Sequence, residues 1–379
     1  MKRIFKAWLL FFCLLPLCGC MAKIEINDQV FVLSLFVDMD KDTGEYKVTI
    51  ASPLPNRLSS GEQAGSSGGQ GDPFSLADSS GKTLPLAVGK LQRQMTRKLD
   101  FSHTRVIVVG STMAEDGMEE LFNWVLRERT LDFSTFIMSS TTQAKDVAEL
   151  EPVFESLPST VLMRFAVQNN LLGTTLKECL SAYLEGTGFA LSQLNVKDAK
   201  GTRNWVSVGN IQLFNDLQAK ATLNEEQSKV TSWAIGRRNT PIYRPVYYAT
   251  WDGGKSKASV LMTNSKSSQQ ITMTPSGPVV QLKLDGTGDV LSLEDDQQRE
   301  ATETNKLIIQ ELKDQLHEDL TASLRVSQEA GADVLGVGQL LESKYPQLWD
   351  KWREDWGNHY KNDIEFQVKL HIKIRNTDM

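Results

Sequence analysis

The sequence is poor in cysteine and histidine. Of 379 residues, 4 are Cys and 4 are His. Cys13, Cys18 and Cys20 crowd the amino terminus, and only Cys179 lies beyond them. One thiol cannot close an intrachain bridge, so core burial must hold the body together, and the chain is long enough for that. Cys179 stands in the helical pattern Leu176–Tyr183 beside apolar neighbours and reads as a buried structural thiol. The histidines His103, His317, His359 and His371 never fall at His-x-x-x-His or Cys/His spacing, so no metal site is expected. There is no Gly-x-Ser-x-Gly elbow, no residue to nominate as catalytic, and no cofactor expected. Basic excess is missing as well: 41 Lys+Arg stand against 47 Asp+Glu. That balance argues against nucleic acid as a partner and against holding the body to anionic lipid by charge alone. The two halves show no internal repeat, and past the leader no apolar run is long enough to span a bilayer.

The amino terminus is the most specific signal. Met1–Lys6 is a positive segment, Ala7–Leu17 is apolar, and Leu17-Cys18-Gly19-Cys20 follows. The apolar run is short for a lone anchor and has the form of an export leader. The last four residues resemble the bacterial lipobox, in which a small residue precedes the cysteine that takes a diacylglycerol. Cleavage would leave residues 1–19 as signal peptide and Cys20 as the lipidated first residue. Two acyl groups plus one more make such an attachment stable where a single chain is marginal. Without Lys2, Arg3 and Lys6, the formal charge of −6 becomes −9.

The body reads as mixed α/β (mixed α+β) and multi-domain, with mixed sheets covered by helices. Residues 20–200 form the expected first domain, with a flexible Ser/Gly excursion at 56–72, and 205–379 the second, with sub-lobes 205–276 and 277–379. Gln29–Val37 and Glu45–Ala51 read as a hairpin across the turn Asp38–Gly44. Leu84–Leu99 has helical spacing. Arg105–Val109, a helix over Met113–Leu126 and the strand Phe133–Met138 make a βαβ unit, which implies parallel pairing. Helices are expected near Leu150–Leu157 and Leu172–Leu184. Trp205–Phe214 has strand character, and Asn224 caps a helix running to Ile235. Tyr243–Thr274 reads as strands split by turns at Asp252–Lys255 and Asn264–Ser268, followed by the alternating strand Val279–Leu284. A long amphipathic helix covers Asp296–Glu329, another covers Val334–Lys344, and Pro346 starts a third. Ile364–Ile374 alternates strictly, so one face is buried; it is expected to pair with Val280–Leu284 beneath the long helix.

Several motifs fail inspection. Asp38-x-Asp40-x-Asp42-x-Gly44 has its Gly one place late for a calcium loop and Thr49 where the bidentate Glu should be. Ser80-Gly-Lys-Thr83 has Leu76 where a phosphate loop opens with Gly, and no strand is expected to lead in. Gly286-Thr-Gly288 reads as a turn. Trp349, Trp352, Trp356 and Tyr360 form an aromatic stripe that reads as core cover for the last strand, with a ligand box as the rival reading. Arg127 and Arg129 complement a helix carboxy end.

Taken in order, these pieces resemble the Ger(x)C family, the lipoprotein C subunits of spore germinant receptors. The carrying residues are Cys20, then Glu25–Asp28 and the strand ending at Asp38; His103, Val106–Gly110, Ala114–Gly117 and Arg127; Gly209–Phe214 and Leu223–Gln227; and Asp333, Gly336, Gly338, Pro346, Trp349, Trp356 and Ile364–Ile374. Met21-Ala22 departs from the Trp-Asp that often follows the family's cysteine. The resemblance implies a non-catalytic lipoprotein on the outer face of the spore inner membrane. It would be held there by the diacylglycerol and acyl chain on Cys20 and work with polytopic A and B subunits in nutrient-triggered germination. The rival reading from the residues is a lipid-anchored solute-binding protein, which needs a cleft between two similar lobes; an envelope hydrolase is a third.

Overall fold

The structure, a computed structural model, describes residues 25–54, 57, 72–152, 154–168, 171–198, 204–236 and 244–375. The leader, Cys20 and nearly all of the Ser/Gly excursion lie outside the described residues. The architecture is mixed α+β, with helices packed on separate sheets.

The chain begins with β1 (Gln29–Phe31), β2 (Ser34–Met39), β3 (Tyr46–Pro53) and β4 (Phe74–Gly81), then α1 (Leu84–Gln94), β5 (Lys98–Asp100) and β6 (Val106–Val109). Next come α2 (Ser111–Asp116), α3 (Glu119–Val125), β7 (Phe136–Ser140), α4 (Ala144–Ala148), α5 (Pro158–Val167) and α6 (Leu176–Leu184). β8 (Phe189–Asp198), β9 (Asn204–Asn215) and β10 (Gln218–Leu223) follow. The large sheet has 8 strands in the order β10-β9-β8-β7-β6-β2-β3-β4. β2, β6 and β7 run parallel, as the βαβ spacing requires, and β2–β3 is the expected antiparallel hairpin. β9 and β10 continue this sheet from β8, so its hydrogen bonding runs through the expected boundary at 200–205.

Local departures have local causes. The strand expected over Gln29–Val37 is broken between β1 and β2. Val32 donates its N–H to Asp100, while Leu33 donates to Ala51, so the chain changes partners there. The helix expected over Met113–Leu126 is two helices, because Gly117 between them takes φ of 129°. Instead of a helix over Leu150–Leu157, α4 ends earlier and α5 starts at Pro158, whose ring suits a first helical turn and no later one. β4 does lead into Ser80–Thr83, contrary to expectation; Thr83 accepts the N–H of Leu86 and caps α1, so the segment is a helix start.

α7 (Glu225–Ile235) opens with the expected cap, in which Asn224 and Gln227 exchange hydrogen bonds. Then follow β11 (Val246–Trp251), β12 (Ser256–Thr274), β13 (Gly277–Glu294), α8 (Ala301–Glu329), α9 (Val337–Lys344), α10 (Pro346–Trp352), α11 (Trp356–Asn362) and β14 (Glu365–Arg375). The second sheet has 4 strands in the order β11-β12-β13-β14. Asn264–Ser268 is not a turn. Its polar side chains face solvent while its backbone pairs on with β13, Ser265 opposite Gly286 and Ser268 opposite Lys283; cross-strand pairing overrides local composition. Gly286-Thr-Gly288 likewise lies inside β13. A Cβ at Gly286 would sit 2.5 Å from the ring of Trp233, so the missing side chain makes room for that indole.

β14 pairs with β13 as expected; the two run parallel, Val280 opposite Phe366 and Leu284 opposite Leu370. Across the inner face lies α8, burying Ile308, Leu312, Leu316, Leu320 and Leu324 at helical spacing. Its approach is pinned by Arg299, which pairs with Asp295 at 2.6 Å and with Asp252 at 2.8 Å. Leu316→Ala should lower stability by about 2–5 kcal/mol through lost burial and an unfilled cavity. Urea unfolding should register this as a lower midpoint at unchanged slope, and a loss under about 1 kcal/mol would contradict the packing described.

Candidate functional site

Cys20, the one site residue nominated from the sequence, lies outside the described residues, so no geometry is assigned to its thiol. What the described chain does contain is a junction between the two sheets, organised by a buried acid.

Asp333 is 2% exposed. One carboxylate oxygen accepts the N–H of Val337 at 2.9 Å; the other accepts from Gly338 at 2.7 Å and from the indole Nε1 of Trp356 at 3.2 Å. The two backbone donors are the opening N–H groups of α9, which have no partner within the helix. Gly336, in the left-handed region at φ 72°, turns the chain so that they point at the acid. Burial pushes the Asp333 carboxyl above its usual range, and the three donors oppose that shift. Trp356 meets Trp349 edge to face at 5.2 Å, and Tyr360 exchanges a hydrogen bond with Ser327 of α8 at 2.9 Å. Burial and the nearby Asp333 carboxylate keep the Tyr360 phenol protonated. Trp349, Trp356 and Tyr360 are therefore core, as expected. Trp352 is half-buried and stacks on His359 at 4.4 Å, whose Nδ1 lies 2.6 Å from Asp363.

Beside this node a groove of about 810 Å³ runs between the sheets. One wall comes from Leu172–Thr175 and Thr187–Ala190, the other from Ile235, Gly236, Val334–Gly336 and Gln339. Gln339 donates to Glu185 at 3.0 Å, linking the walls. Leu171, Leu172, Ile211, Leu213 and Leu223 share a small core with Ala332 beneath it. The walls are unlike, one from an 8-stranded sheet and one from the loop ahead of α9, so this is not a cleft between similar lobes.

A second buried acid was legible as a motif but not as a role. Asp38, the penultimate residue of β2, accepts N–H groups from Ala144 at 2.6 Å and Lys145 at 3.0 Å, the start of α4. Burial raises its carboxyl above the usual range. Gly110 lies against this carboxylate with no room for a side chain.

The remaining candidates are dispersed. Asp40 accepts the N–H groups of Asp42 and Thr43 and pairs with Lys47 at 2.7 Å, the bonding of a hairpin turn. Arg127 donates to the carbonyl of Asn123 near the end of α3, and Cys179 is buried. His103 lies against Phe31, His317 is on α8, and His371 is 3.9 Å from Asp285. No group of three metal-ligating side chains occurs among the described residues. No described helix is long and apolar enough to cross a membrane.

Comparison with known proteins decides the family. A model of the spore germination protein N-terminal domain matches residues 22–196, and one of the spore germination B3/GerAC-like C-terminal domain matches residues 210–378. The chain belongs to the Ger(x)C family, the C subunits of germinant receptors. Spore germination protein KC of Bacillus subtilis is 20% identical over 404 residues, spanning 100% of this chain and 97% of that one. YfkR of the same organism is 33% identical over 168 residues, 44% of this chain and 43% of its own length. The crystal structure of the GerBC protein superposes with a TM-score of 0.58 at 16% identity, covering 90% of this chain and 97% of that one, and so shares its fold. Within the Ger(x)C pattern, the Asp-x-x-Gly-x-Gly and Trp signatures are the parts of the Asp333 node.

Asp333→Asn puts an amide against three N–H donors and should cost about 2–5 kcal/mol. Because the folded carboxyl titrates above its unfolded value, the folded state binds the extra proton first, and its contribution is lost as pH rises through the folded value. The gap between wild type and variant in urea midpoint should therefore widen as pH falls from about 7 to 4. A gap that narrows over that range would contradict a raised carboxyl.

Proposed function

We propose that this chain is the lipid-anchored, non-catalytic C subunit of a nutrient germinant receptor. Acylated at Cys20, it sits on the outer face of the spore inner membrane and acts through contacts with polytopic A and B subunits. The observation that carries this reading is the ordered match of both Ger(x)C models, over residues 22–196 and 210–378, directly behind a lipobox at Leu17–Cys20. We also propose the working division into residues 20–200 and 205–379, which agrees with the spacing of those matches; the signal peptide is 1–19.

The test is Cys20→Ala at the native locus. The variant should fold, because no described contact depends on residue 20, and should leave the inner-membrane fraction. Nutrient-triggered germination should slow by more than about tenfold, since the acyl chains supply the stable attachment. Membrane retention of the variant at wild-type level, with normal germination, would overturn the anchor.

A further inference from the structure

The amino-terminal edges of the parallel strands β2, β6 and β7 form one end of the large sheet. The chain enters the fold at that end. Gln29 of β1 pairs with Lys98 of β5, ahead of β2. Eight residues separate Cys20 from Gln29, which gives a reach of at most about 30 Å. A lipid on Cys20 therefore keeps this end of the body close to the bilayer.

The surface there has a composition of its own. Arg93, Arg97, Lys98, Arg105, Arg127 and Arg129 are all exposed. None of the six is in a salt bridge with a described carboxylate. The local acids on the body are engaged: Asp100 accepts the N–H of Ser102, Glu128 the hydroxyl of Thr130, and Asp132 the N–H of Ser134. Glu25 and Asp28 lie on the incoming chain. The six named cations outnumber the five named acids, on a mature chain of net negative charge. Large apolar side chains stand among the cations: Ile26 is 74% exposed, Leu126 58% and Phe133 43%.

The loops that carry these groups are fixed. Gln92 donates to the carbonyl of Arg97 and accepts from Leu99, closing the 93–98 turn. Thr130 accepts the N–H of Phe101, and Thr135 donates to the carbonyl of Thr104, so the two loops form one surface. Cations interleaved with protruding apolar side chains are what an anionic headgroup layer binds, the charge steering and the apolar tips entering the interface.

We propose that this end, carrying Arg97, Lys98, Arg129 and Phe133, rests on anionic phospholipid headgroups and fixes the orientation of the tethered body. The proposal rests on the anchor at Cys20. Lipid alone would leave the body free to tumble on its tether; the basic end makes one orientation prevail. The hairpin turn Asp40–Gly44, at the far end of β2, then points away from the bilayer, about 20 Å from the headgroups or more.

The experiment uses the acylated full-length mature chain on phosphatidylglycerol or phosphatidylcholine vesicles that carry nitroxide-labelled headgroups. Ser134→Cys or Lys41→Cys takes a fluorophore; Cys179 is buried and Cys20 is acylated, so labelling is selective. On phosphatidylglycerol the label at 134 should be quenched at least about twofold more than the label at 41. The difference should shrink in about 0.5 M salt and in the triple variant Arg97→Glu, Lys98→Glu, Arg129→Glu. Equal quenching at both positions on phosphatidylglycerol, or stronger quenching at 41, would overturn the orientation. A chain that fails to float with either vesicle indicts the anchor instead. The same labels are then read in a Cys20→Ser chain held through an amino-terminal hexahistidine on nickel-chelating lipid, where the same outcomes support or overturn the face.

Discussion

A carboxylate taken out of water must be surrounded by donors, and Asp333 obtains three of them from two parts of the chain at once. Two are the opening N–H groups of α9 and one is the indole of Trp356, twenty-three residues further on. An isolated buried charge costs many kcal/mol, so the loop, the helix and the indole have to arrive together. That constraint fixes where α9 begins and which way Trp356 points. Trp356 in turn sets the packing of Trp349 and Tyr360 beneath α8 and beside β14. Ala332, next to the acid, packs on Gly188, the residue just ahead of β8, which brings the two sheets together at the same place. Asp38 solves the same problem on a smaller scale by tying the end of β2 to the start of α4. In both cases the negative group also meets the positive end of a helix.

The elements that could be read from the sequence are those whose burial pattern is local. β14 alternates over its whole length because one face is covered by α8 and the other is wet, and α8 repeats its leucines because one stripe meets the sheet. β4 and the middle of β12 were illegible for the opposite reason. Phe74–Gly81 and Asn264–Ser268 are rich in Ser and Asp or Asn, and they are strands because a partner strand takes up their backbone groups. The same holds for Gly286 and Gly288, which look like turn residues until the Trp233 ring is seen lying over the first and the Val260 side chain over the second. At the junction, the resemblance to the Ger(x)C family singled out Asp333, Gly336, Gly338 and Trp356, but nothing local says that a helix start and an indole converge on one acid. Cys20 was nominated through the leader that precedes it, a signal that owes nothing to the fold, and lies outside the described residues.

The residues that carry the family resemblance are mostly inside. Asp38, Gly110, Asp333, Trp349 and Trp356 are all buried, and each has a packing or hydrogen-bonding reason to be what it is. Such residues define a fold that tolerates identities of 16–22% with proteins of similar length. They do not define what the surface meets, since a buried carboxylate or indole presents nothing to a partner. Recognition by this chain must be sought on exposed groups instead, such as the groove wall around Gln339 or the apolar furrow between α3 and α6. If Cys20 is acylated as proposed, which of these a membrane partner can reach depends on how the body stands on its tether. Held within about 30 Å of the bilayer, the same body would present different surfaces to its neighbours for each way it can stand.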